Sequence, residues 1–276
     1  MPEVAIRTEG LSYTYQGSDT AALKGIDLSI SHGEITAILG RNGSGKTTLV
    51  RHFNGLLRPT SGRVFLFGSD TVTRSVAELS QICGYVFQNP NHQIFCATVY
   101  EELAVGPRNF GFDATHTKEA IEQTAAELGL TEVLEKHPMT LDYTTKKLVA
   151  IASVLVSRPK ILVLDEPTDG LDEIGREKLS CVIDDYHRQA HTIVLISHDM
   201  DYVASISSRV IVMDQGRISC DASPRQVFSD RKVLQAARLA PPQITELDLW
   251  LSAGRDIALT TDEFVAKHQA AIPETS

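Results

Sequence analysis

The chain has 276 residues, 42% of them hydrophobic, and a formal net charge of -9. That length suits one large domain, or one domain with a small appendage, and is enough to bury a sizeable core. The lysines and arginines are scattered with no basic stripe, which excludes a primary nucleic-acid surface, and the longest apolar run, 148–156, falls far short of the about 20 residues that span a bilayer, so the chain reads as soluble by itself.

Met1-Pro2-Glu3-Val4 has no basic segment leading into an apolar one, so no secretory signal is expected. Residues 4–9 and 25–30 alternate apolar and polar positions, as half-buried strands do. The apolar run 35–39 predicts a third strand. It leads directly into Gly40-Arg41-Asn42-Gly43-Ser44-Gly45-Lys46-Thr47-Thr48, and residues 48–53 then read as helical. Gly40, four residues, then Gly45-Lys46-Thr47 match the phosphate-binding P-loop in its expected strand-to-helix setting. Glycines let the backbone take positive φ and approach a ligand. Successive amides of Gly43, Ser44, Gly45 and their neighbours, with Asn42 and Thr48 flanking them, wrap the phosphates at a helix N-terminus. Lys46 is expected to reach the β- and γ-phosphates as a point charge. The Thr47 hydroxyl is expected on Mg²⁺, which needs few protein ligands. The loop implies a nucleoside triphosphate without saying what it is used for.

Residues 62–68 predict a strand between turns, and 114–128 a helix stopped by Gly129. Residues 142–157 predict a helix with Leu148, Ile151, Ala152 and Leu155 on one face. The short apolar runs 160–164 and 192–196 suit strands of a parallel sheet covered on both faces, and 209–213 gives one more. The first of these runs ends in Asp165-Glu166. In a P-loop protein Asp165 is expected to hold the Mg²⁺ shell, and Glu166 to act as general base or to orient the attacking water. Ser197-His198-Asp199 follows 192–196, which places His198 at the ligand edge of an α/β sheet, in reach of the γ-phosphate or the water. Other histidines (His32, His116, His187) read as surface residues. Cys83, Cys96, Cys181 and Cys220 have no CxxC or metal spacing and read as buried or incidental thiols in a reducing compartment. After Ser223-Pro224 the composition shifts, and Pro241-Pro242 interrupts a short helical appendage reaching Ser276. Strands, loop, helical insert and βαβ units together predict an α/β core interrupted by helices.

These motifs resemble the ATPase subunits of ABC transporters over nearly the whole chain. The further matches are Gln88 in Tyr85-Val86-Phe87-Gln88-Asn89-Pro90, and Asp169-Gly170-Leu171-Asp172. The segment from Val86 through the second glutamine, Gln93, to Phe95 is similar to the Q-loop of the energy-coupling factor (ECF) type. The tail from Ser223-Pro224-Arg225-Gln226-Val227-Phe228 to Pro241-Pro242-Gln243-Ile244-Thr245 is similar to that group's C-terminal region. The resemblance implies an α/β P-loop NTPase (RecA-like) ABC core over 1–87 and 159–224, with an antiparallel β subdomain. It also implies an inserted helical subdomain over 88–158 and a C-terminal appendage over 225–276. It implies ATP hydrolysis with Mg²⁺, powering uptake of a vitamin or transition-metal ion from the cytoplasmic face of the cell membrane. Tyr15 would stack on adenine, with Tyr13 as second choice. Gln88 would contact Mg²⁺ and sense the γ-phosphate. The region near Gln93 would form the groove for a coupling helix of the transmembrane subunit, and Asp169 to Asp172 would meet the partner ATPase. The implied partners are a second ABC ATPase, a transmembrane coupling subunit and a substrate-binding membrane subunit, and no nucleic acid.

The sequence departs from the family at one place. The Leu-Ser-Gly-Gly-Gln signature is expected 24 residues before Asp165, where the chain reads Leu141-Asp142-Tyr143-Thr144-Thr145. In the family, amides here donate to an ATP held by the opposite subunit. Tyr143 puts a bulky side chain there, and Asp142 a carboxylate. At about 4 Å from a phosphate that repulsion is about 1 kcal/mol in water and about 4 kcal/mol at an effective dielectric of about 20. Asp142 reads as an ordinary helix N-cap, and the signature as degenerate. A homodimer would have two impaired sites, so a heterodimer with unequal sites is expected. The competing expectations are a soluble ABC ATPase acting on ribosomes or DNA, and a non-hydrolysing ATP sensor. Absence of a basic surface weighs against the first, and retention of Glu166 and His198 against the second.

Overall fold

In the computed structural model, which describes residues 3–251 and 257–269, the sequence alternation resolves into ten strands. They are β1 (Val4–Thr14), β2 (Ala21–Ser31), β3 (Ile35–Leu39), β4 (Ser61–Leu66), β5 (Ser69–Asp70), β6 (Cys83–Val86), β7 (Ile161–Asp165), β8 (Thr192–Ile196), β9 (Arg209–Asp214) and β10 (Arg217–Ala222). The helices are α1 (Lys46–Phe53), α2 (Val76–Ile82), α3 (Val99–Asn109), α4 (Ala114–Leu128), α5 (Tyr143–Leu155), α6 (Glu173–Arg188), α7 (Met200–Ile206), α8 (Pro224–Ser229), α9 (Arg231–Ala237), α10 (Gln243–Leu251) and α11 (Thr261–His268). Met1, Pro2 and the end of the expected appendage, up to Ser276, lie outside the described residues.

Two sheets organise the fold. One is antiparallel, in the order β2-β1-β4-β5; the other runs β10-β9-β3-β8-β7-β6. In the second, β9, β3, β8, β7 and β6 are parallel and β10 is an antiparallel edge. Every residue of β3, β7 and β8 is buried, as expected of strands covered on both faces. Alternate residues serve two cores. Ile38, Val163, Val194 and Ile211 face α1 and the antiparallel sheet, where Leu49, Phe53, Ile6 and Leu23 meet them. Ala37, Leu39, Leu162, Leu164 and Leu195 face the opposite helical layer.

Register brings the functional segments together. Ile38 and Asp165 both pair with Ile196 of β8, so the P-loop, the acids after β7 and His198 after β8 leave the sheet at one edge.

Several elements extend beyond their expected limits. β1 runs on to Thr14 and β2 begins at Ala21, across bulges near Leu11 and Tyr13 that reset the pairing. In α5, Lys147, Val149 and Ala150 are buried along with Leu148, Ile151, Ala152 and Leu155. The helix is covered nearly all round, not on one face, because α3, α4 and α6 pack around it. β6, α2, α3, α6 and α7 have no counterpart among the expected elements. The tail is helical, but it is not peripheral. Val227, Phe228, Leu234, Ala237 and Ile257 belong to the same buried cluster as β7 and β8. Among the described residues, no helix is long and apolar enough to cross a membrane.

Candidate nucleotide site

The loop after β3 is built for close approach. Gly40 has φ 145°, and a Cβ there would lie 2.3 Å from Met213 O and 2.7 Å from Ser44 Oγ. Only glycine lets the chain turn against the end of β9. α1 starts from Gly45, itself left-handed at φ 105°, with no side-chain cap, so its first-turn amides have no side-chain acceptor. Ser44 Oγ is buried without a hydrogen-bond partner among the described residues. Lys46 Nζ donates to Gly40 O at 2.7 Å and Arg41 O at 3.2 Å. Burial lowers the Lys46 ammonium below the usual lysine range, and the Glu166 and Asp165 carboxylates oppose that shift.

A pocket of about 250 Å³ is shared by Asn42, Gly43, Gly45, Lys46, Thr47, Thr48, Gln88, Asp165 and Glu166. At its floor Asp165 is 3% exposed, and its Oδ2 accepts a hydrogen bond from Tyr85 Oη at 2.7 Å. Glu166 has a left-handed backbone at φ 50°, costing about 1–2 kcal/mol in a non-glycine residue. Its N–H donates to Ile196 O at 2.9 Å, which pins the turn to β8. The carboxylate is thereby delivered to His198: Glu166 Oε2 accepts from the His198 backbone N–H at 3.0 Å and is 2.8 Å from Nδ1. Strain at a position held this firmly is characteristic of functional sites.

Burial raises the Glu166 carboxyl above the ordinary glutamate range, while the charge and hydrogen bonds of His198 pull it back down. As the base expected from the sequence, Glu166 must be deprotonated, so activity is expected to be lost as pH falls through this raised value. The acid limb of the pH–rate profile is therefore expected above that of an ordinary glutamate. His198→Ala is expected to move the limb to still higher pH, because it removes the imidazole that favours the carboxylate and leaves only the backbone N–H. A limb that moves down, read from initial rates across acidic to neutral pH, contradicts the pairing.

Gln88 is exposed at the pocket wall, and its carbonyl accepts a hydrogen bond from the buried Lys147 Nζ of α5. Burial pushes the Lys147 ammonium down to about 8, against the pull of Asp169, Asp165 and Glu166. Gln93 fastens the same loop: its Oε1 accepts from Phe87 N–H at 3.0 Å, and its Nε2 donates to Ala150 O at 2.6 Å and Ser153 Oγ at 2.9 Å. Glu102 Oε2 accepts from the Phe95 and Cys96 amides at 2.9 Å each, holding the Phe95 side chain outward, 75% exposed. Tyr15 lies above α1, 41% exposed, with its hydroxyl 3.0 Å from Thr48 Oγ1. Tyr13 packs edge-on against His52 within the fold.

At the altered signature, Asp142 caps α5: Oδ1 accepts from Thr145 N–H at 2.9 Å and Oδ2 from the Thr145 hydroxyl at 2.6 Å. These bonds hold the Asp142 carboxyl below its usual range, so it stays charged. The Tyr143 ring lies over Gly170, where an added Cβ would fall 2.3 Å from Cε1, and Thr144 Oγ1 donates to Gly170 O at 3.2 Å. Gly170 also has φ 74°. Gly170→Ala is expected to cost about 1–2 kcal/mol of backbone strain and to displace the Tyr143 ring. Tyr143→Ala in the same chain should relieve the clash and leave the strain, which urea melts of both variants will separate.

The expected P-loop residues, Asp165, Glu166 and His198 thus meet at one edge of the parallel sheet, and Tyr15 reaches them from the turn after β1. Asn42, Gly43, Gly45, Lys46, Thr47, Thr48, Gln88, Asp165 and Glu166 share the pocket, Gly40 and Ser44 shape the loop beside it, His198 joins through Glu166, and Tyr15 joins through Thr48. Two residues of the site had no role in the sequence reading: Tyr85, met only inside the Gln88 motif, and Lys147, indistinguishable there from a surface lysine.

The family profile described as ABC transporter matches residues 23–169. The energy-coupling factor transporter ATP-binding protein EcfA2 of Acetivibrio thermocellus is 43% identical over 88% of this chain and 89% of its own length. A longer relative from Caldanaerobacter subterraneus is 40% identical over 89% of this chain, which spans 43% of that protein. The solved structure of cbiO1 from Clostridium perfringens, described as part of the ABC transporter complex cbiONQ, superposes with a TM-score of 0.74 at 36% identity. It covers 85% of this chain and 94% of that one.

Proposed function

This chain belongs to the ABC transporter family, and from that premise we propose that it is the ATP-binding and ATP-hydrolysing subunit of an ECF-type importer. The observation that carries the proposal is the convergence of P-loop residues, Asp165 and Glu166 on one pocket, with His198 bound to Glu166 beside it. Lys46 and the loop amides bind the phosphates of ATP, and the partnerless Ser44 hydroxyl adds a polar contact within the loop. Glu166 orients the attacking water and accepts its proton. His198 holds that carboxylate in place through two contacts and stands at the edge where the γ-phosphate is received. Tyr15 offers its exposed ring to the adenine.

Thr47, Gln88 and Asp165 fit Mg²⁺, because all three offer oxygen donors and Mg²⁺ keeps most of its waters. Bound there, it would neutralise charge on the phosphate oxygens.

The partner is a second ATPase chain with an intact signature, closing over this chain's P-loop. Residues 88–158 face a transmembrane coupling subunit at the cytoplasmic side of the membrane, with Phe95 and its pinned loop at that contact. A substrate-binding membrane subunit selects the solute, a vitamin or a transition-metal ion. The similarity to cbiO1, described as part of a transporter complex, supports this assembly.

The test is co-expression of this chain with the ATPase and multi-span membrane proteins encoded beside it, followed by reconstitution into vesicles. ATP-dependent solute uptake is expected. A stable complex that hydrolyses ATP without moving any vitamin or metal ion contradicts the proposal.

A further inference from the structure

We propose that Tyr85 is a positioning residue for Asp165, holding one carboxylate oxygen so that the other is presented to the Mg²⁺ of the bound nucleotide. The inference rests on the reading of Asp165 as the metal carboxylate.

Tyr85 lies on β6, paired with Val163 of β7. Side chains two apart on a strand share a face, so Asp165 is the diagonal neighbour of Tyr85 across the parallel pair. The phenol is 6% exposed and donates to Asp165 Oδ2 at 2.7 Å. The ring is fixed edge-on against Phe87, centroids 4.9 Å apart. The phenol, three residues before Gln88, thus ties β6 to the acid that ends β7.

A carboxylate with a bonded oxygen has one orientation, and a metal-binding carboxylate depends on such support. Tyr85→Phe removes the hydroxyl and keeps the ring, so the packing against Phe87 survives. The Asp165 carboxylate then loses the one hydrogen-bond donor it has among the described residues.

The experiment titrates Mg²⁺ into the full chain with a fluorescent ATP analogue bound, for the unaltered protein, Tyr85→Phe and Asp165→Asn. Binding of the analogue in EDTA is expected to be the same for the unaltered protein and Tyr85→Phe. The Mg²⁺ concentration for half-maximal change is expected to rise about 10- to 100-fold in Tyr85→Phe. A merely structural role would weaken binding in EDTA as well, and that result overturns the proposal. So does an unchanged Mg²⁺ midpoint in Tyr85→Phe while Asp165→Asn shifts it. If Asp165→Asn leaves the midpoint in place, the metal reading of Asp165 fails, and the role of Tyr85 falls with it.

Discussion

Replacing Glu166 by glutamine is expected to cut ATP turnover by about 10²- to 10⁴-fold, the usual contribution of a general base, while ATP still binds. The reason is geometric. Glutamine keeps the size of glutamate and an acceptor oxygen for the His198 amide, so the strained turn at φ 50° keeps its tie to His198. It loses the charge that takes a proton from water. Lys46 and the loop amides do not depend on that charge for contact with phosphate. The measurement is steady-state hydrolysis in the assembled complex beside nucleotide binding to the same preparation. If turnover survives in Glu166→Gln and the equivalent change in the partner abolishes it, the active site lies in the other chain's P-loop. If binding falls with turnover, Glu166 supports the loop and is not its base.

Rebuilding the signature should have a comparable effect of opposite sign. In the proposed heterodimer, the triple change Asp142→Ser, Tyr143→Gly and Thr144→Gly addresses the site formed by the partner's P-loop. Ser at 142 still caps α5, since serine is among the preferred N-caps. Glycines at 143 and 144 clear the ring from Gly170 and let backbone donors approach a phosphate. Each added glycine costs about 1 kcal/mol of helix stability, which the deeply buried face of α5 can absorb. A single transition-state donor is worth about 10²–10³ in rate. With Glu166→Gln silencing the first site, turnover by the triple variant is expected to rise by about 10²-fold over the single one. No rise would mean that the altered signature is not what limits the second site.

The sequence makes contiguous chemistry easy to see. Gly40 to Thr48 carries its own pattern, and Asp165-Glu166 and His198 stand at the ends of short apolar runs that suit buried strands. What stays hidden depends on distant partners. Tyr85 meets Asp165 across 80 positions of the chain, and Lys147 meets Gln88 across 59. A tyrosine in an apolar segment and a lysine beside another lysine look like core and surface until those contacts form. Gln93 is conspicuous as a second glutamine, but its grip on Ala150 and Ser153 of α5 is not. β6 is hidden because four residues are too few to show a period. α3 is masked by Gly106-Pro107, which reads as a break but falls in the last turn of the helix. α6 buries Leu179, Val182, Ile183 and Tyr186 behind a charged exterior.

The packing of the tail limits its exchange between proteins. Phe228 and Val227 of α8 are fully buried against β9 and β10, in the hydrophobic cluster that also holds β7 and β8. A segment that lends side chains to a host's interior is not a detachable module. Grafting residues 225–276 onto a different cassette would leave the donor with an open seam beside β9 and give the recipient two large apolar side chains without a matching recess. Recombination between such chains is tolerated only where the surfaces of β9, β10 and α8 travel together, so crossovers should fall upstream of Arg209 and not at Ser223.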